Sequence, residues 1–195
     1  MGKVITGISM SLDGFIAGPE DDVQWLFKWY FSGTTEFQVQ GGRMVLKVSP
    51  QSAELLEDAI RTTGAMVAGR RMFDIAGAWD GNPPFIPCFI VTHTVPQEWV
   101  KEGSPFTFVT DGVQSAIEQA KAVAGDKNVA VATASITQQC IQAGLLDEIH
   151  IDLVPVLLGA GIRLFDHLAA SPIELESTKV IEAPGVTHLG FRIVK

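Results

Sequence analysis

Residues 3–11 alternate apolar and polar positions with a period near two and run into Leu12-Asp13-Gly14, which predicts a first strand ending in a turn. Further strands are expected at 65–68, 88–92, 107–110, 128–132 and 149–154. Residues 173–182 and 186–194, joined by Ala183-Pro184-Gly185, read as a hairpin. Between the strands the period lengthens to that of a helix. Ser49-Pro50 supplies a hydroxyl cap and a first-turn proline ahead of the stripe Leu55, Leu56, Ala59 and Ile60, which Gly64 stops. Val113, Ala116, Ile117, Ala120, Val123 and Ala124 form a second stripe closed by Gly125, and a third helix from about 134 to 143 ends at Gly144. Strands alternating with helices imply a mostly parallel sheet covered on both faces, and the terminal hairpin makes it mixed. Ligands of such sheets bind at the carboxyl ends of the strands.

Three segments do not fit a simple rhythm. Residues 21–31 carry Val23, Trp25, Leu26, Phe27, Trp29, Tyr30 and Phe31, apolar nearly all round, so they form either a buried helix or a pocket lining. Asp21 and Asp22 open this segment where acidic residues oppose a helix dipole. Residues 32–48, with Gly33, Gly41 and Gly42, have no clear period and read as a loop or insertion. Residues 154–166 run from an apolar strand into a glycine-punctuated loop. Leu158 beside Gly159 and Gly161 reads either as a pocket wall that something flat approaches closely or as a tight connection with buried leucines.

Composition narrows the chemistry. The 195 residues suit one domain, taken as 1–195, and no apolar run approaches the roughly 20 residues of a membrane helix. The amino terminus enters the first strand without separate charged and apolar regions, so a cytoplasmic protein is expected. A net charge of −8 argues against a general nucleic-acid binder. Cys88 and Cys140 lie in apolar runs and read as small core residues, and the four histidines lack ligand spacing, so no metal is expected. Gly69-Arg70-Arg71-Met72-Phe73-Asp74 turns from a strand into a helix, where amides and two guanidinium groups suit an anion such as phosphate; an exposed arginine pair is the competing reading. The pattern Gly-x-Arg-apolar-Phe-Asp recurs at 161–166 without a fixed period, as coincidence or shared helix-start chemistry.

The ordered set Ser9-Met10-Ser11-Leu12-Asp13-Gly14-Phe15-Ile16-Ala17, Gly69-Arg70-Arg71-Met72-Phe73-Asp74, Phe89-Ile90-Val91-Thr92-His93, Gly144-Leu145-Leu146-Asp147-Glu148-Ile149 and the segment 155–165 resembles the dihydrofolate-reductase-like proteins related to the reductase domain of the riboflavin-biosynthesis deaminase-reductase. The resemblance implies a three-layer α/β fold, NADPH as hydride donor, a small heterocyclic or imine- or carbonyl-type substrate, and a homodimer. It implies an activity like that of 5-amino-6-(5-phosphoribosylamino)uracil reductase. By the same resemblance, Ala17 falls at the nicotinamide end, Gly69, Arg70 and Arg71 at the cofactor phosphates, and Thr92 and His93 at the adenosine ribose or its 2′-phosphate. Gly159 and Gly161, with Leu158 and Ala160, match a segment bordering cofactor or substrate.

Two departures stand out. Relatives usually carry adjacent glycines after the strand at 128–132, where this chain has Ala132-Thr133-Ala134-Ser135. Two β-carbons at that approach cost on the order of 1–3 kcal/mol if a glycine-type backbone is required, and the Thr133 and Ser135 hydroxyls offset part of this as phosphate donors. Residues 23–35 also lack the carboxylate with which dihydrofolate reductases hold the pterin, which disfavours folate. Asp13 remains the candidate for orienting substrate or relaying a proton, against the alternative of a turn aspartate bonding its own backbone. Trp25, Trp29 and Phe31 are the candidates for excluding water around the substrate. Two rival readings are a non-catalytic binding protein that has lost the cofactor seat and a reductase using a flavin or deazaflavin.

Overall fold

The computed structural model describes residues 2–39, 44–168 and 171–195. The first alternating segment is strand β1 (Val4–Ser11). Its Val4, Ile8 and Met10 side chains join one apolar cluster, while Ile5, Gly7 and Ser9 turn to the opposite face. A short strand β2 (Phe15–Ala17) follows the turn, then the hairpin β3 (Thr35–Gln38) and β4 (Val45–Val48). Ser49 accepts a hydrogen bond from the Ser52 amide at 3.1 Å and, with Pro50 in the first turn, starts helix α1 (Pro50–Thr62) as its sequence predicts. The helix passes without a loop into β5 (Thr63–Gly69), which leads to the short helix α2 (Arg70–Ile75). Strands β6 (Cys88–Val91) and β7 (Phe106–Val109), helix α3 (Val113–Ala124), strand β8 (Asn128–Ala132), helix α4 (Ala134–Gln142) and strand β9 (Glu148–Val154) complete the alternating part. The two-residue strand β10 (Ile162–Arg163) precedes the terminal hairpin of β11 (Leu175–Ala183) and β12 (Val186–Ile193).

Eight strands form one sheet in the order β11-β12-β9-β1-β8-β5-β6-β7. Neighbours from β9 to β7 are parallel, while β12 is antiparallel to β9 and to β11. This is the expected α/β class: a mostly parallel mixed sheet with an antiparallel hairpin at its carboxyl-terminal edge. β10 pairs antiparallel with β2 in a separate ribbon.

The two faces of the sheet are packed differently, and the difference creates the site. On one face, α3 and α4 press Ala116, Ile117, Ala120, Ile136 and Cys140 onto Val67, Val129, Val131, Ile149 and Ile151 in one continuous core. Each such Ile or Val contributes about 1.5–3 kcal/mol by leaving water. On the other face the apolar residues divide into two clusters. Phe73 of α2 packs with Met66, Cys88, Ile90 and Phe106 toward one edge. Leu26, Trp29, Phe37, Leu46, Val48 and Ala53 pack with Val154, Ala183 and Val186 toward the other. The middle of the sheet lies between them.

The aromatic segment is not a helix. It folds as two 3-10 turns, Pro19–Asp21 and Lys28–Phe31, because Glu20 and Asp21 take left-handed backbone angles (φ 57° and 62°) and an all-round apolar sequence offers no single face to bury. Leu26 and Trp29 are buried, whereas Trp25 and Phe31 are 52% and 60% exposed. Asp21 and Asp22 therefore cap no long helix. The segment expected as a loop holds the β3–β4 hairpin, with Phe37 and Leu46 turned inward; Gly41 and Gly42 lie outside the described residues. The repeated motif is coincidental, since its first copy is helical at α2 and its second includes strand β10. Both cysteines are buried and free, and burial pushes the Cys140 thiol up to about 12. Among the described residues no helix is long and apolar enough to cross a membrane.

Candidate active site

A cleft of about 1800 Å³ occupies the gap between the two apolar clusters. Its floor is Ile5, Gly7 and Ser9 of β1 with Ala130 and Ala132 of β8, and it extends to the strand ends at Gly69 and Val91. A β-carbon built on Gly7 would meet no atom within 4 Å, so the middle of the floor is open. This is the place where ligands of open parallel sheets bind.

At the outer end the chain turns from β8 into α4 through Thr133, which sits at φ 92° and ψ 146°. A positive φ is a genuine outlier for a β-branched residue. The Thr133 hydroxyl Oγ1 is buried and, alone among the buried side-chain polar atoms of the described residues, has no hydrogen-bond partner. Leaving it so costs about 1–3 kcal/mol. Gly69 faces the same spot: a β-carbon there would stand 3.3 Å from the Thr133 hydroxyl and 3.6 Å from that of Ser135. Strain, an orphaned hydroxyl and a side-chain-free approach thus converge at one helix start.

The arginines frame this end. Arg71 holds Asp21 through Nη2 at 2.9 Å to both carboxylate oxygens, and Arg70 bonds Asp74 and the Thr94 carbonyl, each at 2.7 Å. Thr92 is buried and its hydroxyl closes a turn by accepting from the Thr94 amide at 3.2 Å, while the neighbouring His93 is exposed.

Asp13 builds the adjoining loop. Its carboxylate accepts from the Ser11 hydroxyl at 2.6 Å, the Leu158 amide at 3.1 Å and the Gly159 amide at 2.7 Å. The Ser11 hydroxyl first, and the Gly159 and Leu158 amides after it, outweigh partial desolvation and hold the Asp13 carboxyl down at about 2. Gly161 brings this loop against β2: a β-carbon there would lie 2.0 Å from the Ala17 carbonyl oxygen.

The inner end of the cleft is polar. Trp29 Nε1 donates to Ser9 Oγ at 3.0 Å, and Tyr30 also bonds Ser9. Burial first, then the charge of Asp152, push the Tyr30 hydroxyl above its ordinary range, so it stays protonated. Asp152 Oδ1 lies 2.6 Å from His188 Nδ1, and His188 Nε2 lies 2.8 Å from Ser52 Oγ of α1.

The chain matches the family model described as the RibD C-terminal domain over residues 2–189. It belongs to that family. A curated relative, the protein YwjB of Bacillus subtilis (strain 168), is 24% identical over 180 residues, covering 91% of each chain. A putative riboflavin biosynthesis protein from Shewanella sp. PV-4 superposes with a TM-score of 0.74 at 21% identity, covering 99% of both chains. The riboflavin biosynthesis reductase of Saccharomyces cerevisiae gives a TM-score of 0.63 at 12% identity, over 99% of this chain and 90% of that one. The RibD C-terminal family supports a reductase-like function for the chain.

Of the residues singled out in the sequence, Ala17, Trp29, Phe31, Gly69, Arg70, Arg71, Thr92, His93, Thr133, Ser135 and Gly161 line this cleft. Asp13, Trp25, Leu158 and Gly159 do not. Asp13 spends both oxygens on the loop, and Trp25 lies under Lys28, whose Nζ is 3.1 Å from its ring centre. The inner polar group of Asp152, His188 and Ser52 was missed. Its signal was the alternation through β9, which puts Glu148, His150 and Asp152 on one face of a strand that is apolar on the other.

Proposed function

We propose that the protein is an NADPH-dependent reductase of a small heterocyclic, imine- or carbonyl-type substrate, with the cofactor phosphates at the β8–α4 turn and the substrate toward Trp29. The observation that carries this reading is Thr133, strained and with a buried hydroxyl that lacks a partner among the described residues, beside Gly69, where a β-carbon would stand 3.3 Å from that hydroxyl. A phosphate oxygen would satisfy that hydroxyl, and the start of α4 favours negative charge. The residues present therefore fit a dinucleotide. Gly69, Thr133 and Ser135 would hold its pyrophosphate; Arg71 and His93 would meet the 2′-phosphate; Ala17 would border the nicotinamide. Bound there, the cofactor supplies hydride. Trp29 and Phe31 exclude water from the reacting carbon, and Asp13 acts as a positioning residue that fixes the loop against β2.

Arg71 gives the first test. It is 71% exposed on its side chain and, among the described residues, held by Asp21 alone, so a 2′-phosphate competes for the guanidinium at little structural cost. NADPH should bind about tenfold tighter than NADH, and Arg71→Ala should bring NADPH to the NADH level. Tryptophan fluorescence titration reads both, and equal wild-type affinities would remove the assignment. The Arg71–Asp21 pair also favours a second reading, a non-catalytic binding protein whose arginine is committed internally. On that reading neither nucleotide quenches fluorescence.

A further inference from the structure

The polar group at the inner end is arranged in one direction. Ser49 Oγ accepts from the Ser52 amide and donates to Ser52 Oγ at 2.9 Å, so the Ser52 proton is free to go to His188 Nε2. His188 then carries its proton on Nδ1 and donates it to Asp152 Oδ1. The spacing is that of a hydrolytic triad, but Ser52 is 1% exposed and does not line the cleft, so it is no nucleophile. The row instead orients Asp152. That side chain keeps 27% of its surface exposed, lines the cleft opposite Ser9, two residues along β1 from the open floor at Gly7, and among the described residues makes no hydrogen bond through its second oxygen. Of the donors nearby, Trp29 Nε1 points at Ser9 and Tyr30 stays neutral, while His150 and Lys179 line the same end of the cleft.

We propose that the inner end of the cleft binds a flat, cationic nitrogen ligand with adjacent N–H donors, an amidinium or protonated cyclic imine, and that Asp152 is its anchor. His188, fixed by Ser52, is the positioning residue. An ionised carboxylate with one oxygen free accepts from such a ligand by charge-assisted hydrogen bonds, while the ring lies over Gly7. Resting on the reductase reading, the same site defines the substrate: hydride adds to the carbon of a protonated C=N bond, the π pair becomes the nitrogen lone pair, and the reduced nicotinamide is oxidised. No further proton is consumed. This accounts for a reductase cleft whose acidic side chain serves as an acceptor.

The test uses benzamidinium, benzamide and benzoate, titrated into the full chain by calorimetry without nucleotide. Benzamidinium is expected to bind at least tenfold tighter than benzamide, with benzoate weakest. Asp152→Asn should abolish the preference for benzamidinium over benzamide, and His188→Gln should reduce it, because a merely structural role would move both affinities together. Equal binding of benzamidinium and benzamide by the unmodified protein would overturn the proposal even if neither variant folds, as would a preference that survives Asp152→Asn. Nucleotide titration is separate: discrimination among the three probes with no NADPH binding removes the reductase reading and leaves this site standing.

Discussion

Thr133 and Asp13 both follow a strand end, yet the structure gives them opposite characters. Thr133 is under-satisfied and strained, the signature of a group kept for a ligand. Thr133→Gly removes both penalties, offset in part by the added freedom of the unfolded chain. Urea unfolding without ligand should show a gain of about 1 kcal/mol, and a loss would mean that Thr133 is a structural residue. Asp13 is fully satisfied. Its carboxyl sits at about 2 when folded and near 4 when unfolded, so its contribution to the loop is complete above about pH 4 and disappears as pH falls through about 2. The protection of the Leu158 and Gly159 amides relative to their intrinsic exchange rate should fall across that window in the wild type, and in Asp13→Asn it should be low at every pH. Protection unchanged in Asp13→Asn would contradict the role assigned to the carboxylate.

At the scale of elements, the ribbon of β2 and β10 depends on one missing side chain. Gly161 is at φ 135° and its absent β-carbon would overlap the Ala17 carbonyl, so Gly161→Ala should cost about 2–4 kcal/mol and open this rim of the cleft. Thermal unfolding checks it, and a change within a degree would show that the close approach is easily relaxed. The sequence announced those elements whose period and boundaries agree: Ser49-Pro50 before α1, Asn128 to Ala132 as β8, and the turn at Gly185 between β11 and β12. It was silent where tertiary packing chooses. The aromatic run after Asp21 has no polar face, so only the second apolar cluster determines that Leu26 and Trp29 go in while Trp25 and Phe31 stay out. The cleft was legible by half for the same reason. Glycine and arginine punctuation at a strand end marks a phosphate seat locally, but His188 meets Asp152 and Ser52 only through the pairing of β12 with β9 and the placement of α1. Such contacts leave no local spacing to read.

At the scale of the molecule, helices α3 and α4 pack on one face of the sheet in a single core while the packing on the other face is divided, so one layer supports an open cleft. Its outer strand β11 is an unpaired edge that exposes Leu175 and Val180, and a second copy of the chain is the proposed cover. Light scattering should give twice the 21.0 kDa chain mass; a monomer mass at micromolar concentration would remove the dimer. The β8–α4 turn is the proposed dinucleotide seat. Calorimetric titration of NADPH into the wild type and Thr133→Val tests it, because valine keeps the shape and backbone demand and removes only the hydroxyl. The wild type should saturate, and Thr133→Val should bind about tenfold more weakly with apo stability unchanged or higher. No binding by the wild type up to millimolar NADPH, or full affinity in Thr133→Val, would contradict it.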